Sequence, residues 1–295
     1  PYTTLFRSIS EITGHTKLTG LLGSPVFHSK SPLMHNEAFR LLGLDYVYLC
    51  FDVPESNLEV AFEGLKKLNV AGFNCTMPDK TLMCQLVDDL SPAARMIGAV
   101  NTVVNENGKF IGHNTDGIGY MMSLKDAGFD ITGKTMTLLG CGGAASSILV
   151  QAALDGIPKI NVFNRKGRSW EHAQRMVETI NKNTNCHAVL YDLNDEDSLD
   201  KAITESEILT NATSVGMAPD IESCPIRDTS ILHSDLIVSD IIYNPLETKL
   251  LKLAKSNGCP TINGLYMLLY QGAEAFKIWT GKDMPVDAIK EKYFK

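Results

Sequence analysis

The chain has 295 residues, 44% of them hydrophobic and 21% charged, and carries a formal net charge of −7. That length holds two ordinary domains, and the composition is globular, not disordered. The negative balance argues against nucleic acid or an anionic membrane as the main partner, and no apolar run approaches the length of a membrane span.

Residues 1–8 contain neither a methionine nor the apolar core of a signal segment, and they read as added sequence foreign to the fold. Leu18–Gly23 is a short apolar run that stops at a Gly-Ser-Pro break, which reads as a strand. Ser31-Pro32 then opens a helix, with Ser31 as N-cap and Pro32 in the first helical position. Met34, Ala38, Leu41 and Leu42 are spaced as its buried stripe, and Gly43 is its expected stop. Tyr46–Val53, rich in aromatic and β-branched residues, is the next predicted strand. Val100–Val104 and Lys109–His113 flank Asn105-Glu106-Asn107-Gly108, a hairpin with an Asn-Gly turn.

From here the pattern changes to regular alternation. Strands are predicted at Thr135–Leu139, Lys159–Phe163, His187–Tyr191, Ile208–Asn211, Leu236–Asp240 and Thr261–Ile262, with helical or loop segments between them. Such alternation implies crossover connections and a parallel sheet covered on both faces, with ligands at the carboxyl ends of the strands. The tail from Gly264 to Gly281 reads as a helix whose buried stripe is Leu265, Leu268, Leu269, Gly272, Phe276 and Trp279. Gln271 lies off that stripe. The expected fold is α/β: an N-terminal α/β domain followed by a Rossmann-type doubly wound domain. Seven cysteines (50, 75, 84, 141, 186, 224, 259) form no Cys-x-x-Cys pair, so neither disulfides nor zinc are indicated. No metal is expected, and a reducing cytoplasm is the expected compartment.

Gly140-x-Gly142-x-x-Ala145 follows an apolar strand and opens a run of helix formers. Glycines at Gly140, Gly142 and Gly143, followed by Ala144, allow a tight turn, and the helix N-terminus offers N–H groups to a pyrophosphate. A turn used only for tight packing is the alternative. The next strand ends in Asn164-Arg165-Lys166-Gly167-Arg168. NAD-selective proteins commonly place a carboxylate near this point, and here none comes before Glu171. An amide and three cations, Arg165, Lys166 and Arg168, suit the 2′-phosphate of NADP instead.

Five polar signatures recur along the chain: Gly23-Ser-Pro-Val-Phe-His-Ser29-Lys-Ser31-Pro, Asn74-Cys-Thr76-Met-Pro-Asp-Lys80, Gly98-Ala-Val-Asn101-Thr, Asn114-Thr-Asp116-Gly and Asn211-Ala-Thr213-Ser214-Val-Gly-Met217. Together with the glycine turn they resemble the shikimate dehydrogenase family, and its quinate/shikimate branch in particular, from about Leu18 to Tyr293. The resemblance implies reversible reduction of 3-dehydroshikimate to shikimate, a step towards chorismate and the aromatic amino acids, with quinate as a further substrate of the branch. It implies that Lys80 and Asp116 are the catalytic pair, and that Thr76, Asn101, Asp116 and Gln271 hold the substrate hydroxyls. Tyr243 in Asp240-Ile-Ile-Tyr-Asn-Pro matches a family tyrosine near the substrate. The nicotinamide would lie near Thr213, Ser214, Met217 and Gly264, with NADP as cofactor and NAD as an alternative. The tail would return to the first domain, giving a substrate domain of residues 9–116 and 264–295 and a cofactor domain of 117–263. A homodimer is left open.

Residue chemistry agrees with these roles but leaves alternatives. Reducing a ketone by hydride makes an alkoxide that needs a proton, which a lysine can give. Ser29 and Ser31, at or before a helix N-terminus, suit a carboxylate, although Ser31 could simply cap. Asn101 could serve the hairpin, Gln271 could be merely exposed, and Tyr243 could be core. His28 and His113 are read as structural hydrogen-bonding residues. Three positions depart from the family pattern. Cys75 stands in place of valine, Asp79 in place of an aromatic or aliphatic residue, and Gly167 where the quinate/shikimate branch often carries Asp. Two rival readings are a methylenetetrahydrofolate dehydrogenase-like enzyme and a dinucleotide-binding regulator without activity. The first would lack the paired serines, and the second would be expected to have lost Lys80 or Asp116.

Overall fold

A computed structural model of the chain describes residues 11–294, so the reading of residues 1–8 as added sequence lies outside the described residues. The chain divides into two compact units. One runs to Thr115 and resumes at Gly272; the other is Asp116–Gln271. The second division falls seven residues beyond the start of the C-terminal helix at Leu265.

The first unit contains strands β1 (Lys17–Gly23), β2 (Tyr46–Asp52), β3 (Gly72–Cys75), β4 (Asp89–Leu90), β5 (Thr102–Glu106) and β6 (Lys109–His113), in the sheet order β2-β1-β3-β5-β6-β4. β1 lies parallel to both β2 and β3, so their carboxyl ends share one edge of the sheet. β5 runs antiparallel to β3 and β6. Asn107 (φ 55°) and Gly108 (φ 92°) turn the β5–β6 hairpin, the left-handed pair that matches strand twist. Helices α1 (Ser31–Leu42), α2 (Leu58–Lys67), α3 (Lys80–Leu86) and α4 (Pro92–Ile97) complete the N-terminal part.

α1 departs from expectation at two points. Its buried face is Met34, His35, Ala38 and Phe39, while Leu41 and Leu42 are exposed. The reason is an aromatic cluster. The His35 ring stacks on Tyr48 at 4.5 Å and lies near Phe39, Phe276 and Trp279. Both His35 ring nitrogens are buried without a partner, and burial lowers its pKa to about 3, so the ring is neutral at physiological pH. Second, Ser31 is the first helical residue and makes no cap bond; the Ser31 N–H instead donates to Ser29 Oγ at 3.2 Å. Gly43 ends the helix at φ 63°.

The second unit holds β7 (Thr135–Leu139), β8 (Lys159–Asn164), β9 (His187–Asp192), β10 (Ile208–Asn211), β11 (Ile237–Asp240) and β12 (Thr261–Ile262). All pair in parallel, in the order β12-β11-β10-β7-β8-β9. Counted from β7 this is the doubly wound order 6-5-4-1-2-3, whose direction reverses between β7 and β10 and leaves a crevice beyond their carboxyl ends. Its helices are α5 (Asp116–Asp126), α6 (Gly143–Leu154), α7 (Trp170–Asn183), α8 (Glu196–Thr204) and α9 (Lys249–Ser256).

α10 (Leu265–Thr280) carries the predicted stripe from Leu269 onward. Leu269, Phe276 and Trp279 are buried, while Leu265 and Leu268 are half-buried. Trp279 Nε1 donates to Val103 O at 2.9 Å, which anchors the helix end in the first unit's sheet. A Cβ on Gly72 would meet the Trp279 ring at 2.5 Å, so only glycine fits there. A further helix, α11 (Val286–Tyr293), packs on α1 and pairs Lys292 with Glu37 at 3.0 Å.

Candidate active site

In the first unit, four of the expected residues stand at the edge formed by the ends of β1 and β3. Gly23 (φ 154°) ends β1, and a Cβ on it would lie 2.3 Å from Thr76 Cγ2, so glycine lets the serine turn close on Thr76. Thr76 N–H donates to Leu22 O at 2.9 Å. Ser29, Ser31, Thr76 and Lys80 are half-buried. Lys80 begins α3, and its carbonyl accepts the Val100 N–H at 2.9 Å. The neighbouring Asn101 O accepts the Cys75 N–H at 2.8 Å, so the base of the hairpin is tied to the end of β3. The Asn101 side chain is buried: its Oδ1 accepts from Thr115 N at 2.8 Å and its Nδ2 donates to Thr115 Oγ1 at 3.0 Å.

Beneath the serines lies a buried layer to which the sequence assigned no role. Tyr48 Oη donates to Asn74 Oδ1 at 2.8 Å, and Asn74 Nδ2 donates to Thr102 Oγ1 at 3.0 Å. The Ser31 side chain hydrogen-bonds Tyr48, whose phenol is pushed well above its ordinary pKa by burial and stays a donor. The signal for Tyr48 was its place in an aromatic strand, which speaks for core and not for site. Of the two histidines, His28 is exposed with its ring edge-on to Phe27, and His113 Nε2 is buried without a partner. The hydrogen-bonding reading of His113 is therefore not what this nitrogen does, and burial lowers its pKa.

Removing either serine hydroxyl tests the carboxylate reading. Ser29→Ala and Ser31→Ala are each expected to raise KM for a carboxylate substrate about 10-fold or more, since hydrogen bonds to charged groups are worth roughly 1.5–3 kcal/mol. Steady-state kinetics check this. The Ser29 variant should also lose some thermal stability through its contact with the Ser31 N–H, and an effect on stability alone would count against the binding role.

Asp79, next to Lys80, is fully buried, and neither carboxylate oxygen has a hydrogen-bond partner. Burial first, and the charge of Glu55 second, raise its pKa from 3.8 to about 6. An acid with a folded pKa above its unfolded value binds more protons when folded. Stability therefore falls as pH rises from about 4 to about 6, and the cost is complete above that window, up to ~3 kcal/mol. Asp79→Asn should accordingly stabilise the protein by about 1–3 kcal/mol at pH 8 and by little at pH 4. Thermal unfolding of both proteins at the two pH values measures this; an advantage independent of pH would contradict it. Cys75 is buried beside this group, and burial together with the Asp79 charge pushes its thiol far up, so it stays protonated.

In the second unit the glycine turn sits at the switch point. Gly140 takes φ 95°, and a Cβ on it would lie 3.0 Å from Ala212 O. No side chain caps α6 at Gly142, and a Cβ on Gly142 or Gly143 would meet nothing within 4 Å. An uncapped helix N-terminus facing open space fits a pyrophosphate. Gly142→Ala should leave the melting temperature within about 2 °C of wild type but weaken dinucleotide binding at least ~10-fold by filling that space; calorimetry and thermal unfolding separate the two. Equal losses in both would mean a packing turn.

At the end of β8, Asn164 turns inward, donating to Ser169 Oγ at 3.0 Å and Arg165 O at 3.2 Å. Arg165, Lys166 and Arg168 are exposed. Gly167 has φ 151°, a conformation L residues rarely adopt, so the Asp common there in the quinate/shikimate branch would be strained in this chain.

The loops after β10 and β11 are held by one buried network. Asn211 Nδ2 donates to Asp240 Oδ1 at 3.1 Å, Asn211 Oδ1 accepts from Thr213 Oγ1 at 2.7 Å, and Thr248 Oγ1 donates to Asp240 Oδ2 at 2.7 Å. These bonds fix the Thr213–Met217 turn, where Ser214 and Met217 are exposed. Gly264 N–H donates to Ile242 O at 3.1 Å. Tyr243 is 51% exposed, so it is not a core residue. Asp116 heads α5 and is half-buried. Gly117 and Gly119 explain the glycines around it: added Cβ atoms would lie 2.2 Å from Ser147 O and 2.5 Å from Gln271 N. Half-buried Gln271 is thereby held against α5, its Nε2 donating to Leu268 O at 3.0 Å. Among the described residues no group of His, Cys, Asp or Glu is arranged to hold a metal, and no helix is long and apolar enough to cross a membrane.

A parallel sheet of this order with an uncapped glycine turn at its switch point is a dinucleotide-binding unit. In one chain with a unit that gathers hydroxyls, an amide and a lysine, it defines a nicotinamide-dependent oxidoreductase. Residues 21–103 match the model of the shikimate dehydrogenase substrate binding domain, and residues 264–292 that of the shikimate 5′-dehydrogenase C-terminal domain. A shikimate dehydrogenase (NADP(+)) of Listeria innocua is 53% identical over 96% of this chain and 97% of its own. The crystal structure of a Listeria monocytogenes shikimate 5-dehydrogenase with shikimate and NAD superimposes with a TM-score of 0.93 at 53% identity, covering 95% of this chain and 97% of the other. A shikimate dehydrogenase solved with NADP+ gives 0.85 at 42% identity, with 96% of each chain covered. The chain belongs to the shikimate dehydrogenase family, and the methylenetetrahydrofolate dehydrogenase-like reading falls away.

Proposed function

We propose that the protein catalyses the reversible, NADP-dependent reduction of 3-dehydroshikimate to shikimate, accepting NAD as well, in the cytoplasm. The observation that carries this is the grouping of Ser29, Ser31, Thr76 and Lys80 at the shared ends of β1 and β3, with Asn101 tied to the same edge. A cyclic polyol carboxylate has one charge and several hydroxyls, and this edge offers two serine hydroxyls, further neutral partners and one cation.

In this reading residues 9–116 and 264–295 form the substrate domain and residues 117–263 the cofactor domain. When bound at the Gly140–Ala144 turn, the nicotinamide cofactor supplies or accepts the hydride. Ser29 and Ser31 hold the carboxylate; Thr76, Asn101, Asp116 and Gln271 orient the hydroxyls, and Tyr243 borders the substrate. The hydride adds to the carbonyl carbon, the C=O π pair moves to oxygen, and Lys80 gives that oxygen a proton and takes it back in the oxidative direction, with Asp116 holding the ammonium in place. Asn164, Arg165, Lys166 and Arg168 receive the adenosine end, and Thr213, Ser214, Met217 and Gly264 the nicotinamide end.

Absorbance at 340 nm with shikimate or quinate, and NADP+ or NAD+, tests the reading. Shikimate with NADP+ should give the highest kcat/KM, and quinate a lower one. No shikimate-dependent signal with either cofactor would favour the regulator reading.

A further inference from the structure

The end of β8 lacks a carboxylate in its own sequence, but the fold supplies one from the next strand. β8 and β9 pair in parallel with Asn164 opposite Asp192, and Leu193 N–H donates to Asn164 O at 3.0 Å. The acidic turn Asp192-Leu193-Asn194-Asp195 therefore lies alongside Asn164–Arg168. Asp192 is fixed there, its Oδ1 accepting from both Asn194 N and Asn194 Nδ2 at 3.1 Å. Its other oxygen, Oδ2, lies 3.7 Å from Lys166 Nζ. Asp195 faces the same lysine: its carboxyl is held below the usual range by Ser198 first, with the Lys166 charge contributing. Lys166 also lies 5.8 Å from the Trp170 ring centroid. Arg165 and Arg168 make no ion pair among the described residues.

We propose that Asp192 is a cofactor-specificity residue: by pairing with Lys166 it withdraws one of three loop cations from a 2′-phosphate and so narrows the gap between NADP and NAD. This rests on the dinucleotide reading of the second unit. The sequence counted three cations towards a phosphate; the fold leaves two arginines uncommitted. A guanidinium is the better bidentate partner for a phosphate, so NADP remains favoured, while a carboxylate near the ribose allows NAD to be accepted as well.

The test is calorimetric binding of adenosine 2′,5′-bisphosphate and of AMP to wild type, Asp192→Asn, Asp192→Ser, Lys166→Ala and the Asp192→Asn/Lys166→Ala double variant, with thermal unfolding as the control for folding. Both Asp192 variants should bind the bisphosphate about 2–5-fold more tightly, the scale of a partly exposed ion pair, with AMP unchanged. The gain should shrink at high salt and vanish in the Lys166→Ala background. An unchanged ratio of the two ligands, or a gain that survives without Lys166, overturns the proposal while leaving the dinucleotide site standing. Failure of wild type to bind either ligand would overturn both.

Discussion

Lys80→Ala is expected to lose about 10²–10⁴-fold in turnover, the usual cost of a missing general acid or base, with little change in substrate affinity. The lysine is placed for one task. It starts α3 directly after the Thr76 turn, its backbone is pinned by the Val100 N–H, and its side chain is half-buried at the edge that carries the serines. Without it the alkoxide oxygen formed as hydride adds to the carbonyl carbon must take its proton from water, and that loss is felt in the transition state more than in the bound substrate. Steady-state kcat together with a calorimetric Kd for shikimate separates the two effects. Near-normal turnover, or a Kd that rises in step with the loss, would take the proton-transfer role away from this residue.

Gly264→Ala should be the most damaging of the single-methyl changes. A Cβ at this position would lie 1.8 Å from Ile241 O and 2.3 Å from its carbonyl carbon. Both are backbone atoms, so no side-chain rotation relieves the clash, and the Gly264 N–H bond to Ile242 O holds the two segments together. The loop after β11 must move, and overpacking against fixed backbone costs about 3 kcal/mol or more. Denaturant unfolding should show that loss. Dinucleotide binding should weaken as well, because the same movement displaces the turn beside Thr213 through Asp240 and Asn211. A variant as stable as wild type would mean that the backbone contact is looser than described.

The second unit was almost wholly legible in the sequence. Its six strands are short β-branched runs separated by helices, or by a long loop between β10 and β11, and burial on both faces leaves them little freedom to read otherwise. The first unit was harder. The α1 stripe ran through His35 and Phe39 instead of Leu41 and Leu42, because a histidine counts as polar until it is seen stacked and neutral inside an aromatic cluster. The serine motif gave the place of the N-terminal turn but assigned the capping role to Ser31, whereas it is Ser29 Oγ that accepts the Ser31 N–H; hydrogen-bond direction at a helix start depends on backbone angles that sequence does not specify. α11 followed Gly281, a natural stopping signal, and went unread.

Of the candidate site, the motif residues were visible because their chemistry is local. What depends on tertiary placement was not. The meeting of Lys166 with Asp192 joins positions 26 residues apart across a strand pair. The isolation of Asp79 follows from the packing around it, since an acidic residue beside a lysine would ordinarily be read as solvated. The positive φ of Gly167, which makes the branch's aspartate a poor substitute in this chain, is a backbone property without a sequence signature.

The central claim is that the edge formed by β1 and β3 holds a polyol carboxylate with Lys80 at the reacting oxygen. A crystal structure of the protein with shikimate and NADP+ tests it most directly. The account predicts the shikimate carboxylate within hydrogen-bond distance of the Ser29 and Ser31 hydroxyls, and Lys80 Nζ within the same distance of the hydroxyl that is oxidised. A carboxylate bound away from both serines, or an oxidised hydroxyl out of reach of Lys80, would contradict it.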